Sequence, residues 1–378
     1  MYHAVRLGSR LALMGLGLAA AVLLAEAVLR AFPDLMPAAA VNRAQLLHDL
    51  GDVRTRPDPY IGFLYPPNYR GSMRHHDAAF TFQTDALGFR NSGPWPERAG
   101  VVALGDSLTF GFGVPDGDSW VALAARSLGD VAIVNLALPG LGPLQQARVY
   151  RVFGAALRPK VVLLGFFPGN DFWDTAKFLA WLKLPDRSNY LLWRDFGIDE
   201  DRGLGTVEKV VKTSYVRSLL WAVANPNAEA FDGAVAYEMK GGRMVLFPES
   251  LRRLKERASP GRAEFDETFR ALKELDDRVR SDHGRLVVVL LPSKEYVYLP
   301  LHGAMAEDPM KAVYRALDEL QLSYLDLTPR FRERAAAGER LFFEVDGHPN
   351  ARGYALIADA VVEYLRHGAS GTRGRTLP

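Results

Sequence analysis

Four short stretches of this 378-residue chain set residues able to do acyl chemistry beside glycine. In VVALGDSLTFGFGV (101–114) an apolar run ends in Gly105, Asp106 and Ser107, and in LALPGLGP another ends at Gly140. FFPGNDFWD places Asn170 after Gly169, and FFEVDGHPNARGYAL carries Asp346 and His348 near the C-terminus. Ester or acyl chemistry needs a nucleophilic hydroxyl, a base to take its proton and donors for the oxyanion. Ser107 offers the hydroxyl, and His348 offers a base that Asp346 can orient. The Gly140 N–H and the Asn170 amide offer the donors. Each piece has an ordinary explanation by itself: a turn with Asp106 or Ser107 as helix cap, a turn glycine, a turn asparagine, an exposed loop histidine. All four in this order are not explained by turns alone.

The elements that must position them alternate from residue 100 onward. Apolar strand candidates are 101–104, 131–138, 161–167, 285–292 and the shorter 323–327, with helical patterns such as 119–128 and 142–157 between them. Near-continuous apolar strands separated by helices predict a parallel sheet covered on both faces, an α/β architecture. Ligand crevices in such sheets lie at the carboxyl ends of the strands, and GDS, PGLG and PGND each follow a strand directly. FTFQTDALGFRN (80–91) alternates like a hairpin or edge strand. The stretch 172–284 interrupts the rhythm and carries Trp173, Trp181, Trp193 and Trp221, which read either as a lid over the crevice or as the core of a helical insertion.

Composition bounds the rest. Lys and Arg number 46 against 44 Asp and Glu, so there is no basic field for nucleic acid. The absence of cysteine excludes disulfides, thiolate catalysis and cysteine-bound zinc. Residues 11–32 are apolar apart from Glu26 and Arg30, long enough to cross a bilayer, with Arg6 and Arg10 on the side expected to stay cytoplasmic. Cleavage as a signal peptide near PAAAVN (37–42) is the competing reading. The expected organisation is a cytoplasmic start (1–10), an inner-membrane anchor (11–32), a tether (33–59) and an extended segment (60–99). A catalytic domain outside the membrane (100–368, including 172–284) and a disordered tail (369–378) complete it.

GDS, a later glycine, GND, then Asp and His near the C-terminus together resemble the SGNH (GDSL) hydrolase superfamily over roughly residues 100–366, outside 172–284. The resemblance implies a flavodoxin-like three-layer α/β/α sandwich with no metal or organic cofactor. It implies Ser107 as nucleophile, His348 as base, Asp346 as the orienting acid, and an oxyanion hole from the Ser107 N–H, the Gly140 N–H and the Asn170 side chain. The spacing departs from the family's D-x-x-H, since only Gly347 separates acid and base; Glu344 is the reserve acid. The shorter spacing resembles members associated with bacterial polysaccharide acetylation. The N-terminal anchor, TDALGFRN and LPSKEYVYLP (291–300) are similar to membrane-anchored alginate acetylation proteins. Asp106, Lys294, Tyr296, Arg90 and Trp173 are then candidates for substrate contact, with packing or ion pairing as their plainer roles. The implied activity is a serine esterase removing acyl groups, O-acetyl first, from an envelope or exported polysaccharide. Its implied partners are the acylated carbohydrate, the inner membrane and the envelope polysaccharide machinery. Acyl transfer to a sugar hydroxyl, a lipase or lysophospholipase, and a non-catalytic glycan-binding scaffold are the alternatives.

Overall fold

The structure, a computed structural model, describes residues 2–32, 35–37, 40, 54–75, 77–185, 187, 189–196, 214–224, 234–239, 242–303, 307–367 and 375–376. The chain divides into two compact units, Met1–Gly51 with Leu204–Ala234, and Asp52–Gly203 with Val235–Pro378.

In the first unit, the helix Tyr2–Ala31 contains a 19-residue stretch, Leu13–Ala31, of mean hydropathy 1.8, long and apolar enough to cross a membrane. A glutamate in such a stretch is costly unless it finds partners, and Glu26 finds several. Its carboxylate accepts the N–H groups of Tyr215 and Val216, both at 3.0 Å, and the Ser214 hydroxyl at 2.8 Å. The two N–H groups are first-turn donors of the helix Tyr215–Ala224, which have no partner within their own helix. Arg30 pairs with the same carboxylate at 2.8 Å and lies over the Tyr215 ring. Met36, Ala40, Tyr215 and Ala222 bury a small apolar cluster around this contact. Glu26→Ala removes the cap, at a cost of about 1 kcal/mol. Amide exchange at residues 214–218 is expected to quicken several-fold, which hydrogen-exchange mass spectrometry would read. Most of the proposed cleavage stretch and most of the tether lie outside the described residues.

The second unit opens with two antiparallel pairs. Strand β1 (Arg56–Asp58) pairs with β2 (Gly62–Leu64), and β3 (Arg70–His75) with β4 (Ala78–Gln83). The expected alternation appears in β4, which buries Ala78, Phe80 and Phe82 and exposes the residues between them. The parallel strands are β5 (Val101–Leu104), β6 (Ile133–Asn135) and β7 (Val161–Phe166). After the antiparallel pair β8 (Val235–Met239) and β9 (Gly242–Leu246) come β10 (Arg285–Leu290), β11 (Tyr324–Asp326) and β12 (Arg375–Thr376). Their order is β12-β11-β10-β7-β5-β6, every pair parallel. Strand 131–138 is shorter than its apolar run predicts. The run still follows β5, with the Leu136 and Leu138 N–H groups reaching the Ala103 and Gly105 carbonyls, while the Asn135 side chain bends the chain by accepting the Ala137 N–H. Of the tail expected to lack structure, the described residues are the two of β12.

Right-handed crossovers send the chain from β5 outward to β6, then back past β5 to β7, so the connecting helices fall on opposite faces. The helix Trp120–Leu128 packs with Ala351–His367, and Pro143–Val149, Asp171–Trp181 and Ala263–Ser281 pack with one another. The result is the flavodoxin-like three-layer α/β/α sandwich. The stretch 172–284 is not a single body, because Leu204–Ala234 belongs to the first unit. Its last helix, Ala263–Ser281, lies against β10 as part of the sandwich. Trp181 is fully buried and stacks on Phe178, a core residue rather than a lid aromatic.

Candidate active site

Strand order reverses between β5 and β7, and at such a switch point the loops splay apart and leave a crevice at the strand ends. Ser107 enters it directly after β5. A side chain on Gly105 would meet the Thr109 Oγ1 at 2.2 Å, so only glycine lets the chain turn there. Asp106 then caps a single turn, Ser107–Phe110, by accepting the Leu108 N–H at 2.9 Å. Gly111, at φ +90°, closes the turn, and a Cβ there would strike Ser119.

His348 meets Ser107 from the far end of the sequence. Its Nε2 is 2.7 Å from the Ser107 Oγ and its Nδ1 is 2.6 Å from the Asp346 Oδ1. The same Asp346 oxygen accepts the His348 N–H at 2.7 Å, so acid and base share one tight turn despite the short spacing. The Phe112 ring stacks on the imidazole, centroids 4.4 Å apart. Burial by itself would raise the Asp346 carboxyl, but His348 and His75 outweigh it and hold the group far below the usual carboxylate range. Glu344, the reserve acid, is instead set toward Arg243, 3.8 Å away.

Gly140 and Asn170 lie on the loops after β6 and β7, flanking the serine's strand. Gly140 has φ +73°, which glycine adopts without strain. A Cβ there would stand 2.9 Å from the Arg194 guanidinium, which is paired with Asp174 and lies over the Trp173 ring. Asn170 stands at the N-cap of the helix Asp171–Trp181 but its side chain does not cap that helix. Beneath these loops Asp106 and Asp171 are completely buried. Burial raises the Asp106 carboxyl, opposed by the Leu108 N–H, His348 and the Asn170 side chain. Burial, with the neighbouring Asp106 and Asp174 charges, raises Asp171 further still.

Four candidates for substrate contact are corrected. Lys294 is fully buried, and its Nζ donates to the carbonyls of Phe343, Glu344, Val345 and Asp346 at 2.8 to 3.4 Å, holding the acid's loop from below. Tyr296 is buried with its hydroxyl on Asp308, its ring under Arg332. Arg90 is buried against Asp116 and the carbonyls of Phe110, Gly111 and Val114, fixing the loop after the serine. Asp106 is enclosed as the helix cap. The polar groups of Lys294, Tyr296 and Arg90 are spent inside the protein, and one oxygen of Asp106 is spent on its cap. Trp173 is half-buried beside Arg194 and Lys177. Residues not singled out from sequence also reach the site: His75 at the end of β3, Asp77 in the turn that follows it, Phe112 and Arg194.

No protein-family model matches the chain, and a comparison with curated proteins found no match. Solved structures do align with it. A member of the lipolytic protein G-D-S-L family from Veillonella parvula shares 14% identity over 71% of this chain and 98% of its own, with a TM-score of 0.36. The esterase EstA from a Pseudoalteromonas shares 12% over 72% and 98%, with a TM-score of 0.34. Axe2, an acetyl-xylooligosaccharide esterase from a Geobacillus, shares 15% over 74% and 99%, with a TM-score of 0.36.

Proposed function

We propose that the chain is an SGNH-type serine esterase that removes acyl groups, O-acetyl first, from an envelope or exported polysaccharide. The observation that carries this reading is the unbroken relay from the Ser107 Oγ through His348 to Asp346, with contacts of 2.7 and 2.6 Å, at the sheet's switch point. Ser107 gives its proton to the His348 Nε2 and attacks the ester carbonyl. The oxyanion that forms is met by the N–H groups of Ser107 and Gly140 and the Asn170 amide. Collapse expels the sugar alkoxide, which takes the proton from His348 and leaves an acyl-serine. Water, deprotonated by His348, attacks the acyl-serine; collapse returns the proton to the Ser107 Oγ and releases the acid. The buried Asp346 carboxylate stabilises the imidazolium formed in each half.

The anchor reading draws support from the first unit. Glu26, Arg30 and Met36 are partners of the helix Tyr215–Ala224, and cleavage near residues 37–42 would remove all three. The span Leu13–Ala31, with Arg6 and Arg10 before it, would hold the catalytic unit on the periplasmic side.

Full-length protein in detergent, assayed with p-nitrophenyl acetate and then with O-acetylated polysaccharide, tests the activity. Acetate release supports esterase action. Transfer of the acetyl group to an added sugar in preference to water would replace the hydrolase reading with the transferase. Asn170→Ala is expected to lower kcat by roughly 10²- to 10³-fold, the cost of losing one oxyanion donor, with a much smaller change in KM. Steady-state kinetics on p-nitrophenyl acetate would show it, and an unchanged kcat would remove Asn170 from the site.

A further inference from the structure

Asp346 has two carboxylate oxygens, and the proposed relay uses one. The other, Oδ2, lies 2.5 Å from the Nδ1 of His75, the last residue of β3. Two residues further on, across the hairpin turn, the Asp77 carboxylate accepts the N–H of Asp346 at 2.8 Å and that of Val345 at 3.2 Å. A hairpin that precedes the sandwich in sequence thus grips the acid by both side chain and main chain. Lys294 holds the carbonyls of the same loop. The Asp346 side chain is completely buried, whereas that of His75 is 40% exposed.

We propose that His75 is a positioning residue for the catalytic acid, a second imidazole that fixes the plane of the Asp346 carboxylate; this rests on the esterase reading above. The short D-x-H spacing gives it a task. Asp346 is only two residues from His348, and its Oδ1 serves both the main chain and the ring of that histidine. Rotation of the carboxylate would break both contacts together. A donor on Oδ2 opposes that rotation, and β3 supplies one from outside the loop. The Phe112 ring is stacked on His348 and edge-on to His75 at 6.4 Å, and the bond by which His75 reaches the relay is the one to Asp346.

His75→Ala, His75→Asn and His75→Gln in the full-length protein test the assignment. An asparagine amide can reach the place of the Nδ1, whereas a glutamine amide falls nearer that of the Nε2. His75→Ala should therefore lower kcat on p-nitrophenyl acetate about tenfold to a hundredfold at nearly constant KM. His75→Asn should recover most of the loss and His75→Gln little of it. Independently of turnover, histidine-labelled wild-type protein should show two downfield imidazole N–H resonances that depend on Asp346, and His75→Ala should retain one. Wild-type kcat in His75→Ala, or equal behaviour of the Asn and Gln variants, would overturn the proposal. If both resonances are present but Ser107→Ala turns over as fast as wild type, the esterase reading fails and the His75–Asp346 contact stands without a catalytic role.

Discussion

Ser107→Ala is expected to lower turnover of p-nitrophenyl acetate by about 10⁴-fold or more and to abolish labelling by a fluorophosphonate probe. In the proposed mechanism the oxygen removed is the nucleophile, and whatever turnover is left would come from the proposed oxyanion donors and binding. The fold has little to lose: the hydroxyl bonds to the His348 Nε2, and the turn that presents it is made by the glycines and the Asp106 cap. Thermal stability should stay near wild type, which separates a chemical loss from a folding one. Turnover equal to wild type would refute the serine mechanism.

Asp346→Asn should be nearly as severe, with kcat down about 10³- to 10⁴-fold. Both imidazoles and the His348 N–H approach this carboxylate. An amide there turns its own N–H toward one of the rings and forces the wrong tautomer on it. The pH profile gives a second handle. Asp346 has a depressed pKa in the folded state, so its ionised form stabilises the fold at neutral pH. That contribution declines only as pH falls below the unfolded carboxylate range, about 4, toward the much lower folded value. The rate profile should therefore carry no limb from Asp346 above about pH 4. A limb at pH 4–5 that vanishes in Asp346→Asn would show the carboxyl titrating in the ordinary range.

Much of the site was legible because its parts follow strand ends. An apolar run that stops at glycine marks both a sheet edge and the loop able to carry chemistry, and this located Ser107, Gly140 and Asn170. His348 was legible because its acid is two residues away. The misreadings share a cause: Lys294, Arg90, Tyr296 and Asp106 carry polar groups, and polar groups near strand ends read as solvent- or substrate-facing. Here Lys294, Arg90 and Tyr296 are buried on main-chain carbonyls or single carboxylates, which have no sequence signature, while Asp106 takes the helix-cap role that is its plainer reading. His75 and Asp77 were missed because a charged hairpin turn looks solvated, and their partner stands 271 residues away from His75. The tryptophans of 172–284 looked like one group, yet the fold deals Trp181 to the core of one unit and Trp221 to the other.

The hairpin's grip on Asp346 also sets a timetable for synthesis. Ser107 leaves the ribosome 241 residues ahead of His348, and His75 leaves it 271 residues ahead of Asp346. A contact between such distant parts of the chain forms late, after a long loop has closed. The nascent chain therefore carries the proposed nucleophile without its proposed base until residue 348 has been made. On the esterase reading, a chain delivered to a membrane during its synthesis would stay inert toward esters until its acid and base had emerged.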